Sequence, residues 1–439
     1  MNLNANQKAI TIGIRRENEA KKFEARVPLV PSDIQYLQEK LGNHIRFLIQ
    51  PATLRTFNDD AYTAVGATVQ EDLSEADIIC CIKEVYVDQL LKGKTYLVFA
   101  HVIKSQPDNM PILRELLDRN ITLVDYECIT DLEGRRTVFF GRSAGQTGMF
   151  ETLRALGQRL TAQGKTCIFN ELKPVYQYAD LADAKDHLRQ LGDRLQKNPN
   201  LLGITDYPVV FGFAGTGNVG QGALEIFSLL SPKNVAADEL AALFKGGETG
   251  LWQCSLPKSE TLRNRAGTYD AAEYATFPER YRSRVSELLP YLSALLNCVF
   301  WAPQYPRILP HEAFREAWLR GARRLQVVGD LSCDPPDGSV ACTVDAGDLY
   351  NPVFDYDPIS RAVLPAFSDD GVTVMAIDNL SAGLPRDASI AFSAMLRNYI
   401  VSLVEGDLSQ ADLSTTLTPP LFGATVTHQG ELLEKFRYL

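Results

Sequence analysis

Short, unbroken apolar runs separated by amphipathic segments organise the first 125 residues of the chain. Residues 10–14 (ITIGI), 46–50 (RFLIQ), 78–82 (IICCI), 96–100 (YLVFA) and 121–125 (ITLVD) are continuous apolar stretches of strand length, the pattern of strands covered on both faces. Helix-like segments lie between them, among them 32–40 and 110–119, and Pro31-Ser32-Asp33 opens the first with residues suited to an N-terminal cap. Strand alternating with helix predicts an α/β fold with a parallel, doubly wound sheet.

A polar stretch from Tyr176 to Asn200 breaks this rhythm and predicts an exposed helix and a linker ending at Asn198-Pro199. A second α/β unit then begins at 207–213 (YPVVFGF) and runs to about Ala376, with an insertion rich in Tyr, Arg and Pro between Tyr269 and Pro310. From Pro385 the pattern turns helical again. The expected organisation is two Rossmann-like domains with a cleft between them. A substrate and catalytic domain spans 1–200 and a dinucleotide-binding domain 201–380. A helical segment over 381–439 is expected to pack back on the first.

Composition narrows the class. At 439 residues the chain is long enough for two domains, and 45% hydrophobic with 22% charged residues describes a large core rather than a disordered chain. The net charge of −10 is spread along the sequence, which argues against nucleic acid or an anionic membrane as partner. No apolar run approaches the roughly 20 residues of a bilayer span, and the N-terminus shows no charged-then-apolar leader pattern. The eight cysteines show no CxxC pair and no metal-like spacing with histidine, so neither disulfides nor a metal is expected. The setting that fits is a reduced cytoplasm.

The clearest chemical motif is Gly215-Thr216-Gly217-Asn218-Val219-Gly220, which follows the apolar strand VVFGFA and precedes an amphipathic helix. In that context Gly215 permits a tight turn and Gly217 lets backbone approach a pyrophosphate. Gly220 lets helix and strand pack closely, with the anion on the helix N-terminus. A carboxylate ending the next strand would hold the ribose of NAD. That strand is expected at Asn234–Ala237 and ends in alanine, which leans toward NADP; Asp238 and Glu239 just beyond either supply the ribose ligand or start a helix.

A second constellation sits at strand ends in the first domain. Lys83 and Glu84 close the run IICCI, His101 closes YLVFA with Lys104 three residues on, Glu127 follows ITLVDY, and Arg26 precedes the first crossover. Each has a bland reading as solvated loop pair, cap or satisfied histidine. Ligands of open parallel sheets sit outside the carboxyl ends of the strands, so joint placement favours a site. A histidine and a lysine transfer protons near neutral pH, and Arg26 suits a substrate carboxylate in bidentate contact.

With these motifs in view, the chain resembles the lysine–2-oxoglutarate reductase (saccharopine-forming) domain of the bifunctional aminoadipic semialdehyde synthase family, within the alanine dehydrogenase/saccharopine dehydrogenase superfamily. The resemblance covers nearly the whole chain. It rests on RRENEAKKFEARVPLVP (15–31), IQPATLRTFNDDAYTAVGATVQEDLSEADII (49–79), KTYLVFAHVIKSQPDNM (94–110), DYE (125–127), FGRSAGQTGM (140–149), FAGTGNVGQGALEIF (213–227), YDAAEY (269–274), PERYRSR (278–284), GDLSCDPPDGS (329–339) and IDNL (377–380). It implies NADPH-linked, alternatively NADH-linked, condensation of L-lysine with 2-oxoglutarate through an imine. Lys83 and His101 match the acid/base pair. Glu24, Arg26, Glu84, Lys104, Glu127, Arg136 and Arg142 match residues around the substrates. Asp330, Asp378 and Asn379 join the 215–220 loop around the cofactor.

Departures from the family pattern fall at Ser143, Ala236, Ala341 and the stretch 169–178, where substrate or cofactor choice would reside. The chain is also expected to lack the fused saccharopine-cleaving half and to form a homodimer. Rival readings keep the chemistry with another amino acid (an opine-type enzyme), or make the chain an alanine-dehydrogenase-like deaminase or a non-catalytic cofactor-binding regulator.

Overall fold

The structure is a computed structural model that describes residues 9–18, 20, 23–103, 109–336 and 338–439. It divides into two compact units, Met1–Phe140 with Pro385–Leu439, and Gly141–Leu384.

The first unit is built on β1 (Ile10–Ile14), β2 (Ile45–Ile49), β3 (Thr68–Val69), β4 (Ile78–Cys80), β5 (Thr95–Val98) and β6 (Thr122–Asp125). These strands are all parallel, in the spatial order β3-β2-β1-β4-β5-β6. They read as continuous apolar runs because both faces are covered. The order reverses at β1, which has β2 on one side and β4 on the other, and that reversal is the topological switch point of the sheet.

Helix Pro31–Leu41 buries Ile34, Leu37 and Leu41, the three-and-four spacing of one helical stripe. Its start differs from expectation. Val30 is the N-cap, no side chain caps it, and proline at the first position removes a donor that would otherwise need a partner. Asp33 instead turns inward, accepting from Ser393 Oγ at 2.5 Å and Arg397 at 2.8 Å on helix Pro385–Glu405. Ser389 and Ser393 accept the backbone N–H groups of Val27 and Val30 in turn. Asp33→Ala is expected to lower stability by about 2 kcal/mol, the cost of orphaning such partners; urea denaturation checks it, and an unchanged midpoint would mean this clasp contributes nothing.

The second unit carries β7 (Val209–Ala214), β8 (Lys233–Asn234), β9 (Leu251–Leu256), β10 (Leu262–Arg263), β11 (Arg282–Ser283) and β12 (Ala294–Asn297). It continues with β13 (Val327–Asp330), β14 (Val353–Tyr356), β15 (Val363–Leu364) and β16 (Val372–Ala376). Its main sheet runs β15-β14-β16-β13-β12-β7-β9-β8, parallel except where β14 joins β16 and β15. The expected insertion supplies β11, which pairs in a separate ribbon with β10, a strand that lies before Tyr269, and Tyr274 and Tyr281 pack there with Leu262.

Residues 141–200 go with this second unit, not with the first as the sequence suggested. The reason is helix Gly141–Ala162, which crosses helix Asn218–Phe227 at backbone contact. A Cβ on Gly145 would lie 2.0 Å from the Val219 carbonyl, and one on Gly222 2.1 Å from that of Arg142. Residues 145–157 of that helix are all buried, so no amphipathic stripe marks which unit it serves.

The chain then returns to the first unit. β17 (Thr425–His428) adds antiparallel to β6 and carries β18 (Glu431–Leu432) outside it, so both sheets are mixed at one edge. Phe392 of the C-terminal helix stacks on Phe140 (ring centroids 4.4 Å apart, planes within 9°) and meets Tyr126 edge-on at 5.1 Å. Among the described residues, no helix is long and apolar enough to cross a membrane.

Candidate active site and dinucleotide loop

Ile14, Cys80, Leu97 and Val124 are register partners across β1, β4, β5 and β6. Glu17, Lys83 and Glu127 each lie three residues beyond that line, and His101 lies four beyond it. Four adjacent parallel strands therefore deliver these groups to one rim of one sheet, beside the β1/β4 switch point. Three of the four are the residues singled out from sequence; Glu17 was not.

His101 holds a backbone φ of 55°, in the left-handed region that side chains rarely adopt. The Asn109 side-chain amide donates to its carbonyl at 3.1 Å. The imidazole Nδ1 stands 3.8 Å from a Glu127 oxygen, while Arg136 donates to the other Glu127 oxygen at 2.6 Å. The Glu127 N–H is in turn held by the Asp125 carboxylate at 2.8 Å. Asp125 is buried, which pushes its carboxyl up to about 7; the nearby charge of Glu127 adds to that push, and the Glu127 N–H and His101 oppose it. The Glu127 carboxylate thus stands between an arginine and the histidine, within reach of charge attraction to a protonated ring.

Glu17 performs the matching service for Lys83. Its carboxylate accepts the N–H of Ile82 at 2.6 Å and of Lys83 at 3.0 Å, so the turn that presents Lys83 and Glu84 is pinned to the end of β1. Burial, and then the charge of Glu24, push the Glu17 carboxyl up to about 7. The sequence carried only a general signal for Glu17: like Lys83 and Glu127 it lies within three residues of the carboxyl end of its strand.

Arg26 departs from the expected role. Its Nε and Nη2 already form a buried fork with Glu24, at 2.8 and 2.5 Å, and its guanidinium lies 4.2 Å from the Phe140 ring centroid. The edge expected to take a substrate carboxylate in bidentate contact is thus held by Glu24. The two line a small pocket, partly open to solvent, together with Arg15, Glu17 and Arg55. Arg142 belongs to the second unit, where Glu225 takes its guanidinium at 2.7 and 2.9 Å. Lys104 lies outside the described residues.

In the second unit the 215–220 loop is shaped as its motif requires. Gly215 has φ 99°, and a Cβ there would meet the Cys298 carbonyl at 2.8 Å; a Cβ on Gly220 would meet the Gly215 carbonyl at 2.2 Å. Nothing lies within 4 Å of the Cβ position of Gly217, the N-cap of helix Asn218–Phe227. Thr216, Gly217 and Asn218 are exposed and Val219 half-buried, so open space lies before the first backbone amides of a ten-residue helix. That cradle fits a pyrophosphate. Gly220→Ala should weaken dinucleotide binding at least about tenfold, read by titration of cofactor fluorescence; wild-type affinity would contradict the cradle.

Asp330 ends β13 but is buried, and its carboxylate accepts from Asn297 at 2.9 Å and from the Ser332 and Cys333 N–H groups. It braces the turn after β13 rather than facing a ligand. Asp378 and Asn379 follow β16 at the same rim, with Asp378 exposed. The strand beside β7 is β9, not the expected 234–237 segment. β8 is the outer strand and stops early, Asn234 lying level with Gln253 and Phe211, three residues before the end of β7. Glu239 accepts the Ala236 N–H at 3.2 Å and precedes helix Leu240–Lys245, the helix-start role.

Comparison with known proteins bears on the family and the fold. Residues 13–146 match the family model of the alanine dehydrogenase/PNT N-terminal domain. Over 98% of its length the chain is 32% identical to the mitochondrial alpha-aminoadipic semialdehyde synthase of Mus musculus and 32% identical to the alpha-aminoadipic semialdehyde synthase of Arabidopsis thaliana, covering 47% and 41% of those proteins. The chain thus spans about half the length of these curated relatives. It is 25% identical to the saccharopine dehydrogenase (NAD(+), L-lysine-forming) of Yarrowia lipolytica, over 94% of this chain and 97% of that one. Among solved structures, an L-alanine dehydrogenase shares the fold with a TM-score of 0.57 and 17% identity, over 98% of both chains.

Proposed function

We propose that this chain, which matches the alanine dehydrogenase/PNT N-terminal family model over residues 13–146 and is 32% identical to alpha-aminoadipic semialdehyde synthases, is a nicotinamide-dependent oxidoreductase that reductively joins L-lysine to 2-oxoglutarate, giving saccharopine. The observation that carries the reading is the delivery of Lys83, His101 and Glu127 by three adjacent strands to one rim. The glycine loop of the second unit supplies the cofactor site.

The chemistry asks for two proton movements. The lysine ammonium must lose a proton before its nitrogen can attack the ketone of 2-oxoglutarate. The resulting carbinolamine must then lose its hydroxyl, protonated, as water to leave an iminium. His101, oriented by Glu127, takes the ammonium proton, and Lys83 delivers the proton that makes the hydroxyl a leaving group. NADPH, when bound, supplies the hydride that reduces the iminium carbon to a secondary amine. The Gly215–Gly220 loop holds its pyrophosphate.

The test is oxidation of cofactor by the full chain with 2-oxoglutarate, comparing lysine with other amino acids under NADPH and NADH separately. Lysine-dependent oxidation with saccharopine seen by mass spectrometry establishes the reading. Turnover confined to another amino acid keeps the reaction and moves the substrate to the opine-type alternative. Cofactor binding without oxidation by any amine would overturn the proposal.

A further inference from the structure

We propose that Lys258, with the hydroxyl of Ser259 beside it, receives the adenosine 2′-phosphate of NADPH and so sets the choice between the two nicotinamide cofactors. The inference deepens the dinucleotide reading of the Gly215–Gly220 loop and rests on it.

A pyrophosphate seated on the helix after the first strand directs its adenosine ribose toward the end of the strand alongside. Here that strand is β9. Leu256 is the register partner of Ala214, and its carbonyl accepts the Gly215 N–H at 3.2 Å. Pro257, Lys258 and Ser259 follow directly, so they are the first residues a ribose on this loop reaches beyond β9. The 238–239 carboxylates belong instead to the outer side of the sheet. They follow the end of β8, the outer strand two positions from β7, and Glu239 is spent on the Ala236 N–H at the start of helix Leu240–Lys245.

The chemistry at the end of β9 is that of a phosphate site. Selection for NAD uses a carboxylate against the ribose hydroxyls, and none of Leu256, Pro257, Lys258 and Ser259 is acidic. The first acid, Glu260, faces Arg263 at 3.8 Å and Arg284 at 4.0 Å. Lys258 and Ser259 are exposed, and among the described residues no carboxylate stands within ion-pair distance of the lysine. Its ammonium rests 4.9 Å from the Tyr274 ring centroid, where cation–π attraction holds it without neutralising it. With Arg263 and Arg284 balancing Glu260 and Glu287, the Lys258 ammonium gives this corner the sign a dianionic phosphate requires, and Ser259 adds a donor.

Calorimetric titration of the full chain with NADPH, NADH and 2′,5′-ADP, wild type against Lys258→Glu and Lys258→Arg, tests the assignment without relying on turnover. The expected result is tighter binding of NADPH than NADH by wild type, a loss of NADPH and 2′,5′-ADP affinity of roughly 10–100-fold in Lys258→Glu, unchanged NADH affinity, and near-wild-type NADPH affinity in Lys258→Arg. Equal affinity of wild type for both cofactors, or a Lys258→Glu variant that keeps the wild-type ratio, would overturn it while leaving the loop reading intact. Failure of wild type to bind either dinucleotide would remove the loop reading and this assignment together.

Discussion

Replacing Lys83 with methionine is expected to lower kcat/KM for lysine-dependent cofactor oxidation by roughly 10²–10⁴-fold, the range of a lost general acid or base. Methionine keeps the length of the side chain and removes only the group that carries the proton. The backbone of the turn would be untouched, because Glu17 holds it through the Ile82 and Lys83 N–H groups and not through the ammonium. Cofactor affinity should therefore stay at the wild-type value, since the Gly215–Gly220 loop lies in the other unit. His101→Phe should cost a similar factor, and the double variant much less than the product of the two, as for groups that act as a unit. Steady-state kinetics with fluorescence titration of cofactor decides the matter: a Lys83→Met protein with wild-type turnover would exclude Lys83 from proton transfer.

The second large effect is expected at Glu17. Its ionised carboxylate gives two acceptors to two backbone donors, whereas glutamine offers one acceptor and turns a donor toward the other N–H. Misplacing the Lys83 turn by about 1 Å would cost on the order of 10²-fold in kcat. The same reasoning fixes a pH dependence. Burial and the charge of Glu24 raise this carboxyl to about 7, so the acceptor pair is complete only above that pH. Wild-type kcat/KM should therefore rise with pH through about 7, and the Glu17→Gln variant should be low and flat there.

Stability runs the other way. A carboxyl whose folded pKa lies above its unfolded value near 4.5 favours the native state below 4.5, and that contribution is lost as pH rises toward 7. Asp125 also titrates near 7 through its burial, so Asp125→Asn is the control. If removing Asp125 abolishes the kinetic limb and removing Glu17 does not, the limb belongs to the His101 side of the site.

Most of what could be read in advance lay where local pattern and local geometry coincide. Five central strands were legible because parallel strands covered on both faces are apolar throughout, and the loop 215–220 was legible because each glycine answers a separate steric demand. Lys83, His101 and Glu127 could be placed together from the rule that parallel strands deliver their ends to one rim. What stayed hidden depended on pairing across the sequence. β9 contains Gln253 and Ser255 among its apolar residues, and nothing local says that it, and not the nearer 234–237 segment, lies beside β7. The fork between Arg26 and Glu24 is a matter of side-chain direction, invisible in residue type alone. The boundary at 140 was masked by a helix buried all round. The antiparallel edges formed by β14 and β17 come from segments far along the chain, which no local window joins.

The split composition of the first unit has a consequence for the order in which the molecule is made. Residues 141–384 are contiguous, so during synthesis the second unit can close its core as soon as they have emerged. The first unit cannot. Its leading 140 residues wait through the production of 244 more (384 − 140) before Phe392 arrives to stack on Phe140 and β17 to cover the open edge of β6. For that interval a sheet with one bare edge and an unfilled aromatic slot is exposed to the cell, the state in which strand-to-strand association between nascent chains competes best with folding. Substitutions that weaken the returning helix would thus show first as lowered yield of soluble protein, before any change in the finished enzyme is measurable.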